Sequence, residues 1–134
     1  MSDKLALILG GTSGVGAALA VNLVKQGYNV VVVGRDEGRG NETIARLKKA
    51  APQTASEFMF ADISTVAGTR QFSAEFSAGH NKLDVLVLGA GRLPGATREP
   101  TADGLSAPLA TLAYMRAILV EQLAPLLARA SRPR

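Results

Sequence analysis

Short apolar segments alternate with longer segments of helical periodicity along most of the chain. Four apolar segments, at residues 4–9, 29–33, 57–61 and 83–88, have the length and apolar content of strands buried on both faces. Between them, apolar residues recur every three or four positions over residues 14–26, 41–50 and 64–78, which predicts amphipathic helices. This order predicts a parallel sheet with right-handed crossover helices, the α/β Rossmann-type arrangement.

The rest of the chain predicts a loop and one long helix. Residues 89–100 are rich in glycine and proline, which predicts a loop. From about residue 105 to residue 128 the apolar positions again have helical spacing: Leu105, Leu109, Leu112, Met115, Leu119, Leu123 and Leu126. We therefore expect a single domain over residues 1–134 with the order β-α-β-α-β-α-β-α.

Composition excludes several classes of protein. Hydrophobic residues make up 47% of the 134 positions, which suits a globular core rather than a disordered chain. There is no cysteine and only one histidine, so we expect neither disulfides nor a metal site. The net charge of +4 is scattered along the chain, which argues against nucleic-acid binding. No apolar run approaches the roughly 18–20 residues of a membrane span, so we expect no membrane association and a cytoplasmic location.

The most informative segment is glycine-rich and lies between the first strand and the first helix. Glycines at 10, 14 and 16 permit a sharp turn, close approach of the backbone to a pyrophosphate, and tight packing of the helix on the sheet. The amides at the helix start then face the phosphates. A loop that serves packing alone is the alternative. The residues expected to bind the dinucleotide here are Gly10, Thr12, Ser13, Gly14, Val15 and Gly16.

The spacing Gly-x-x-x-Gly-x-Gly resembles that of the short-chain dehydrogenase/reductase family, and the likeness is nearest to its fungal and carbonyl-reductase-like members. The resemblance covers almost the whole chain and implies the nucleotide-binding half of a Rossmann-type oxidoreductase, truncated after the fourth crossover helix. The loops after the first and fourth strands depart from the family pattern: Leu9 stands in place of a threonine that braces the loop, and Gly89 in place of an asparagine.

Residues after the second, third and fourth strands bear on the choice of cofactor. Arg35 offers a guanidinium to the 2′-phosphate of NADP, whereas Asp36 can accept from a ribose hydroxyl of NAD, so NADP is favoured and NAD stays open. The pair can also be a solvated turn. The resemblance implies that Asp62 meets the adenine amino group, with helix capping as the alternative. It also implies that Ala90 and Gly91 let the nucleotide lie close.

The catalytic residues of the family have no counterpart in this sequence. The family uses a serine and a Tyr-x-x-x-Lys pair, but Tyr28 and Tyr114 are followed four positions on by valine and isoleucine. Leu112 occupies the place of the family's helix asparagine. We therefore expect no catalytic residue here, and we interpret Tyr114 and Arg116 as helix-face residues and His80 as solvated.

Three functions stay open on the sequence alone. The first is an oxidoreductase that moves a hydride between NADP(H) and a carbonyl or alcohol, provided that the catalytic half is supplied. The second is a non-catalytic module that binds a dinucleotide or a related subunit, and the third is a remnant without function. The fourth strand is expected to form an exposed sheet edge, so we also predict an oligomer, or poor solubility, through this edge and the last helix.

Overall fold

A computed structural model describes residues 3–91 and 100–134 of the chain. Part of the predicted glycine- and proline-rich loop, residues 92–99, lies outside the described residues. The strands are β1 (Leu5–Leu9), β2 (Asn29–Gly34), β3 (Ser56–Phe60) and β4 (Val85–Leu88). The helices are α1 (Gly14–Lys25), α2 (Glu37–Ala50), α3 (Val66–Gly79) and α4 (Ala107–Leu127).

The four strands form one parallel sheet in the order β3-β2-β1-β4. On the central strand β1, Leu7 lies opposite Val31 of β2 and opposite Leu86 of β4. The chain crosses from β1 outward to β3 and then returns to the other side of β1. The predicted Rossmann-type α/β fold is confirmed, and the order of connections reverses beside β1, where such sheets open a crevice.

Apolar residues fill both faces of the sheet. Alternate residues of β1 point to opposite sides, so Leu7 and Leu9 face α3 and α4 while Ala6 and Ile8 face α1 and α2. The largest side chains on the α3–α4 side are fully buried: Phe72, Phe76, Leu119 and Leu123. Helices on both faces explain why the strands are almost continuously apolar rather than alternating.

Two helices begin at residues other than those that the pattern predicts, because side-chain caps set their first turns. Helix α2 begins at Glu37 rather than at residue 41, since the Asp36 carboxylate accepts a hydrogen bond from the Arg39 amide at 3.0 Å. Helix α3 begins at Val66, where Thr65, not Ser64, is the capping residue. Each cap satisfies an amide that the helix leaves without a partner.

Helix α4 is not the uniform α-helix that its spacing predicts. After one short turn at Ala107–Leu109, residues Ala110–Tyr114 form a π-helical segment, and Met115–Leu127 continues as α-helix. By length and mean hydropathy alone Ala107–Leu127 is sufficient for a membrane span, although Arg116 and Glu121 interrupt its apolar residues. This is weak evidence for a span, because Met115, Leu119 and Leu123 of the same helix are buried in the core.

The outer edge of β4 is partly covered. Arg134 donates its amide to the Asp84 carbonyl at 3.0 Å and accepts from the Leu86 amide at 2.8 Å, the pattern of a parallel strand pairing. No pattern in the sequence indicates that the basic C-terminal residues would lie along the outer edge of β4. The predicted exposed edge is therefore restricted to the part of β4 beyond Leu86.

His80 is not solvated as the sequence predicts. Its ring stacks on Phe76 with centroids 4.3 Å apart, and Nδ1 lies 3.0 Å from the Phe76 carbonyl oxygen. Its Nε2 lies 3.9 Å from a Glu57 carboxylate oxygen. The polar neighbours of His80 in sequence suggest a solvated turn, but the end of α3 brings Phe76 directly beneath the imidazole.

Candidate functional site

A cleft of about 640 Å³ opens at the carboxyl ends of the strands. Each of the four strands contributes the residues that follow it, so the cleft is built from loops on one edge of a rigid sheet. Ligands of open α/β sheets bind at this edge, beside the point where the strand order reverses. The cleft therefore lies where the fold predicts a ligand site.

The glycine-rich segment forms the floor of the cleft. Gly10 has a φ of +81° that turns the chain off β1, and a Cβ at this position would lie 2.7 Å from the Ala90 amide nitrogen. A Cβ on Gly16 would collide with the Gly10 carbonyl oxygen. Both positions therefore require glycine, one for conformation and one for close approach of helix and loop. This geometry exceeds the needs of an ordinary turn.

The first turn of α1 presents backbone amides to the cleft. Ser13 stands at the N-cap of α1 but makes no side-chain capping hydrogen bond, whereas Asp36 and Thr65 cap α2 and α3. The leading amides of a helix have no partner within the helix, and they carry the positive end of its dipole. Ser13, Gly14, Val15 and Gly16 all line the cleft. The arrangement suits a phosphate or pyrophosphate.

Arg35 and Asp36 are separated by the geometry of the turn after β2. Arg35 lines the cleft and is exposed. Asp36 does not line the cleft; its carboxylate caps α2 and lies 3.8 Å from the Arg39 guanidinium. The acidic side chain thus caps its own helix, while the basic side chain lines the cleft.

Asp62 lies at the cleft end of β3 and is held by the residue two positions on. Its Oδ1 accepts from the Ser64 hydroxyl at 2.6 Å and from the Ser64 amide at 2.9 Å. These hydrogen bonds, together with the charge of Arg35, lower the pKa of Asp62 despite its partial burial. The carboxylate is therefore ionised at neutral pH, and Asp62 lines the cleft. It does not cap α3.

The turn after β4 and the start of α4 close the far side of the cleft. Gly89, Ala90 and Gly91 line it together with Ala107 and Thr111 of α4. The sequence pattern did not indicate Ala107 and Thr111 as cleft residues, nor Ile63 and Ser64 beside Asp62. No local signal marks residues such as Thr111, because only the packing of α4 against β4 brings it to the cleft.

Most of the residues singled out from the sequence lie together in this cleft. The group comprises Gly10, Ser13, Gly14, Val15, Gly16, Arg35, Asp62, Ala90 and Gly91. Two do not line it. Asp36 caps α2, and Thr12 is half-buried against Gly34, where a Cβ would lie 3.1 Å from the Thr12 side chain. Over residues 3–91 and 100–134, no three acidic or imidazole side chains are grouped so as to hold a metal ion.

A second cavity, of about 560 Å³, lies at the opposite, amino-terminal ends of the strands. Its lining contains cations, but these have partners. The Lys82 ammonium lies 3.2 Å from Asp3 and 3.5 Å from Asp84, and Arg129 donates to the Asn81 carbonyl at 2.9 Å. Paired cations at this end make it a poorer phosphate site than the amide-lined cleft.

Comparison with known proteins agrees with this geometry. Over 96 residues (72% of this chain and 34% of the relative), the sequence is 38% identical to a 3beta-hydroxysteroid dehydrogenase of Mediterraneibacter gnavus. It is 34% identical to the oxidoreductase calI of Penicillium decumbens, over 98% of this chain and 38% of that protein. The chain thus spans little more than a third of these relatives.

A solved structure shows the same fold. The chain superposes on RhlG of Pseudomonas aeruginosa, solved as an active-site complex with NADP, with a TM-score of 0.81 and 28% identity. The match covers 96% of this chain and 50% of that one. A family profile described as short chain dehydrogenase matches residues 4–113. This chain accordingly belongs to the short chain dehydrogenase family, of which it contains the N-terminal Rossmann half.

Proposed function

We propose that this chain binds NADP(H) in the cleft and forms the nucleotide-binding part of an oxidoreductase that moves a hydride between NADP(H) and a carbonyl or alcohol. The observation that carries the preference for NADP is the separation of Arg35 from Asp36. The Asp36 carboxylate caps α2, whereas Arg35 has no hydrogen bond or ion pair within the described residues and lines the cleft. A free guanidinium suits a 2′-phosphate.

The remaining parts of the cleft fit the other groups of a dinucleotide. The uncapped start of α1 offers amides to the pyrophosphate. Asp62, at the β3 end beyond Arg35, keeps an ionised acceptor for the adenine amino group. Ala90 and Gly91 form a small-residue wall at the β4 end, where a larger side chain would reduce the room for the ligand.

The chemistry itself requires groups that this sequence does not contain. Bound NADP(H) supplies the hydride, but a carbonyl that accepts it also needs a proton donor. Neither Tyr28 nor Tyr114 belongs to a Tyr-x-x-x-Lys pair. We therefore propose that these residues bind the dinucleotide without turning over a substrate on their own.

Titration with NADPH and with NADH tests the proposed cofactor. Ligand fluorescence reports binding, and a ligand that binds only the folded state also raises the melting temperature. We expect NADPH to bind more tightly than NADH. Arg35→Ala should weaken NADPH by about 10- to 100-fold, the range for one charge-assisted hydrogen bond, and leave NADH almost unchanged.

Arg39→Ala is the matched control. Arg39 is an exposed arginine four residues on, beside Asp36 and outside the cleft lining, so its loss removes the same charge without removing the proposed contact. If both variants weakened NADPH binding equally, the effect of Arg35 would come from its net charge and not from a contact with the 2′-phosphate. If neither dinucleotide binds the wild-type chain, the proposal fails and the remnant becomes the better interpretation.

A second candidate function is interaction with another subunit. On α4, Leu109, Leu112 and Val120 are more than two-fifths exposed, at 47%, 43% and 47%. Beside this helix, the outer edge of β4 pairs only with Arg134 within the described residues. An apolar helix face next to an incompletely paired edge favours association with a second polypeptide.

A further inference from the structure

Arg116 has an unusual environment behind the cleft wall. It lies on α4 just after the π-helical segment, and its side chain reaches back to the turn after β4. The Nη2 group donates to the Ala90 carbonyl oxygen at 3.4 Å. The Nε atom is buried and has no hydrogen-bond acceptor in the described part of the chain.

Arg116 occupies this partly buried position without an ion pair from the described residues. Burying part of a guanidinium without a carboxylate partner costs free energy, and the ion pairs within residues 3–91 and 100–134 do not include Arg116. Near the other end of the same helix, Arg129 also donates to a carbonyl, that of Asn81 at 2.9 Å, but from an exposed position. The two arginines make the same kind of bond, and only Arg116 makes it against the cleft.

The turn that Arg116 contacts is enclosed on two sides. On one side Gly10 lies so close that a Cβ there would approach the Ala90 amide nitrogen to 2.7 Å. On the other side a Cβ on Gly91 would lie 2.6 Å from Leu112 and 3.8 Å from the Arg116 guanidinium. Ala90 and Gly91 line the cleft, whereas Arg116 stands behind them.

We propose that Arg116 is a positioning residue for dinucleotide binding: it fixes the Ala90–Gly91 wall against the glycine-rich loop. The inference rests on the proposed function, since the wall matters only if a dinucleotide occupies the cleft. Because such a wall is already fixed, binding of the ligand loses no free energy in ordering it.

The effect of Arg116 is confined to one end of the cleft. Because the sheet order is β3-β2-β1-β4, the residues after β4 lie at the opposite end from Asp62 after β3, with Arg35 and the glycine-rich loop between them. Adenosine 2′,5′-bisphosphate contains the groups expected at Asp62, at Arg35 and at the start of α1, but it lacks the nicotinamide half that would extend toward the residues after β4. We therefore expect its binding not to depend on the wall, whereas complete NADPH should contact it.

The test compares Arg116→Leu with Arg129→Leu as the matched control. Calorimetry measures the dissociation constants of NADPH and of adenosine 2′,5′-bisphosphate, and thermal melting without ligand measures stability. For Arg116→Leu we expect NADPH to bind about tenfold more weakly, as when one charge-assisted hydrogen bond no longer fixes a surface. The bisphosphate should bind as to the wild type, and the melting temperature should not fall. Arg129→Leu should change neither affinity.

The outcomes separate the two proposals. If wild-type protein binds neither NADPH nor the bisphosphate, the proposed function itself fails. If wild-type protein binds both and Arg116→Leu binds NADPH normally, the positioning role is overturned. Equal weakening of both ligands also overturns it, because the loss of one positive charge acts on every anion. A fall in melting temperature with unchanged affinities assigns Arg116 to folding and rejects the inference.

Discussion

Two adjacent side chains in this protein have different structural roles, and the local backbone conformation decides which role each one has. Arg35 and Asp36 follow the same strand, and both are types that dinucleotide sites use. The start of α2 requires an acceptor for the Arg39 amide, and Asp36 provides it. Arg35, one residue earlier, lies on the cleft side of the turn. The proposed preference for NADP thus rests on the observation that Asp36, and not Arg35, caps α2.

Because of Asp62, the free energy of unfolding should decrease as the pH falls into the acid range. Hydrogen bonds from Ser64 lower its pKa in the folded state, so its contribution is complete above the unfolded value of about 3.9 and is lost as the pH falls through the folded value. Asp62→Asn keeps an acceptor for Ser64 but has no titrating group. Thermal melts between about pH 2 and pH 5 should therefore show a smaller decline in melting temperature for this variant than for the wild type.

Glu42→Gln removes one exposed carboxylate from α2, away from the cleft, and controls for the change in net charge. If Asp62→Asn declined as steeply with acid as the wild type, the hydrogen bonds to Ser64 would not stabilise the ionised carboxylate.

At the scale of secondary-structure elements, β1 and β4 are joined at their amino ends by a side-chain hydrogen bond as well as by the backbone hydrogen bonds of the sheet. The buried Asp84 carboxylate accepts from the Leu5 amide at 2.8 Å and lies 3.5 Å from the Lys82 ammonium. Asp84→Ala should lower the free energy of unfolding by about 1–3 kcal/mol, because it leaves the Leu5 amide without its acceptor. Urea denaturation measures this difference.

Asp3→Ala is the control for that variant. Asp3 pairs with the same lysine at 3.2 Å, but its side chain is 91% exposed. Exposed ion pairs contribute little to stability, so Asp3→Ala should change the free energy of unfolding much less than Asp84→Ala does. Similar losses in the two variants would show that the lysine pairing, and not the bond to β1, is what Asp84 contributes.

At the scale of the whole molecule, the exposed face of α4 and the open part of the β4 edge predict self-association. Sedimentation velocity should show a mean mass that rises with protein concentration. Val120→Asp places a charge on the exposed apolar face of α4 and should reduce association, because a buried unpaired carboxylate is costly. Ala45→Asp adds the same charge to an exposed position of α2 and should not.

A wild-type chain that stays monomeric at every concentration would contradict the association. If Val120→Asp and Ala45→Asp reduced it equally, net charge rather than the face of α4 would be responsible. The cofactor proposal does not depend on this result, since every residue proposed to hold NADP(H) belongs to one chain.

The sequence by itself determined the order of strands and helices, because strand and helix periodicities differ and the buried strands are apolar throughout. It also located the glycine-rich loop. Gly16 lies too close to Gly10 for any larger residue to fit, so the glycines mark this loop in the sequence. These features depend on neighbours along the chain. The starts of α2 and α3 were predicted less well, because several nearby residues can cap and only the backbone turn selects Asp36 and Thr65.

Only the tertiary structure decided which residues meet across the sheet. It stacked His80 on Phe76, brought Thr111 to the cleft, and placed Arg116 behind Ala90. It also laid the backbone of Arg134 along β4. Each of these contacts joins elements through packing that residue type and spacing do not specify. Local patterns therefore specified the elements and the glycine-rich loop, whereas the shape of the cleft depended on how helices pack on the sheet.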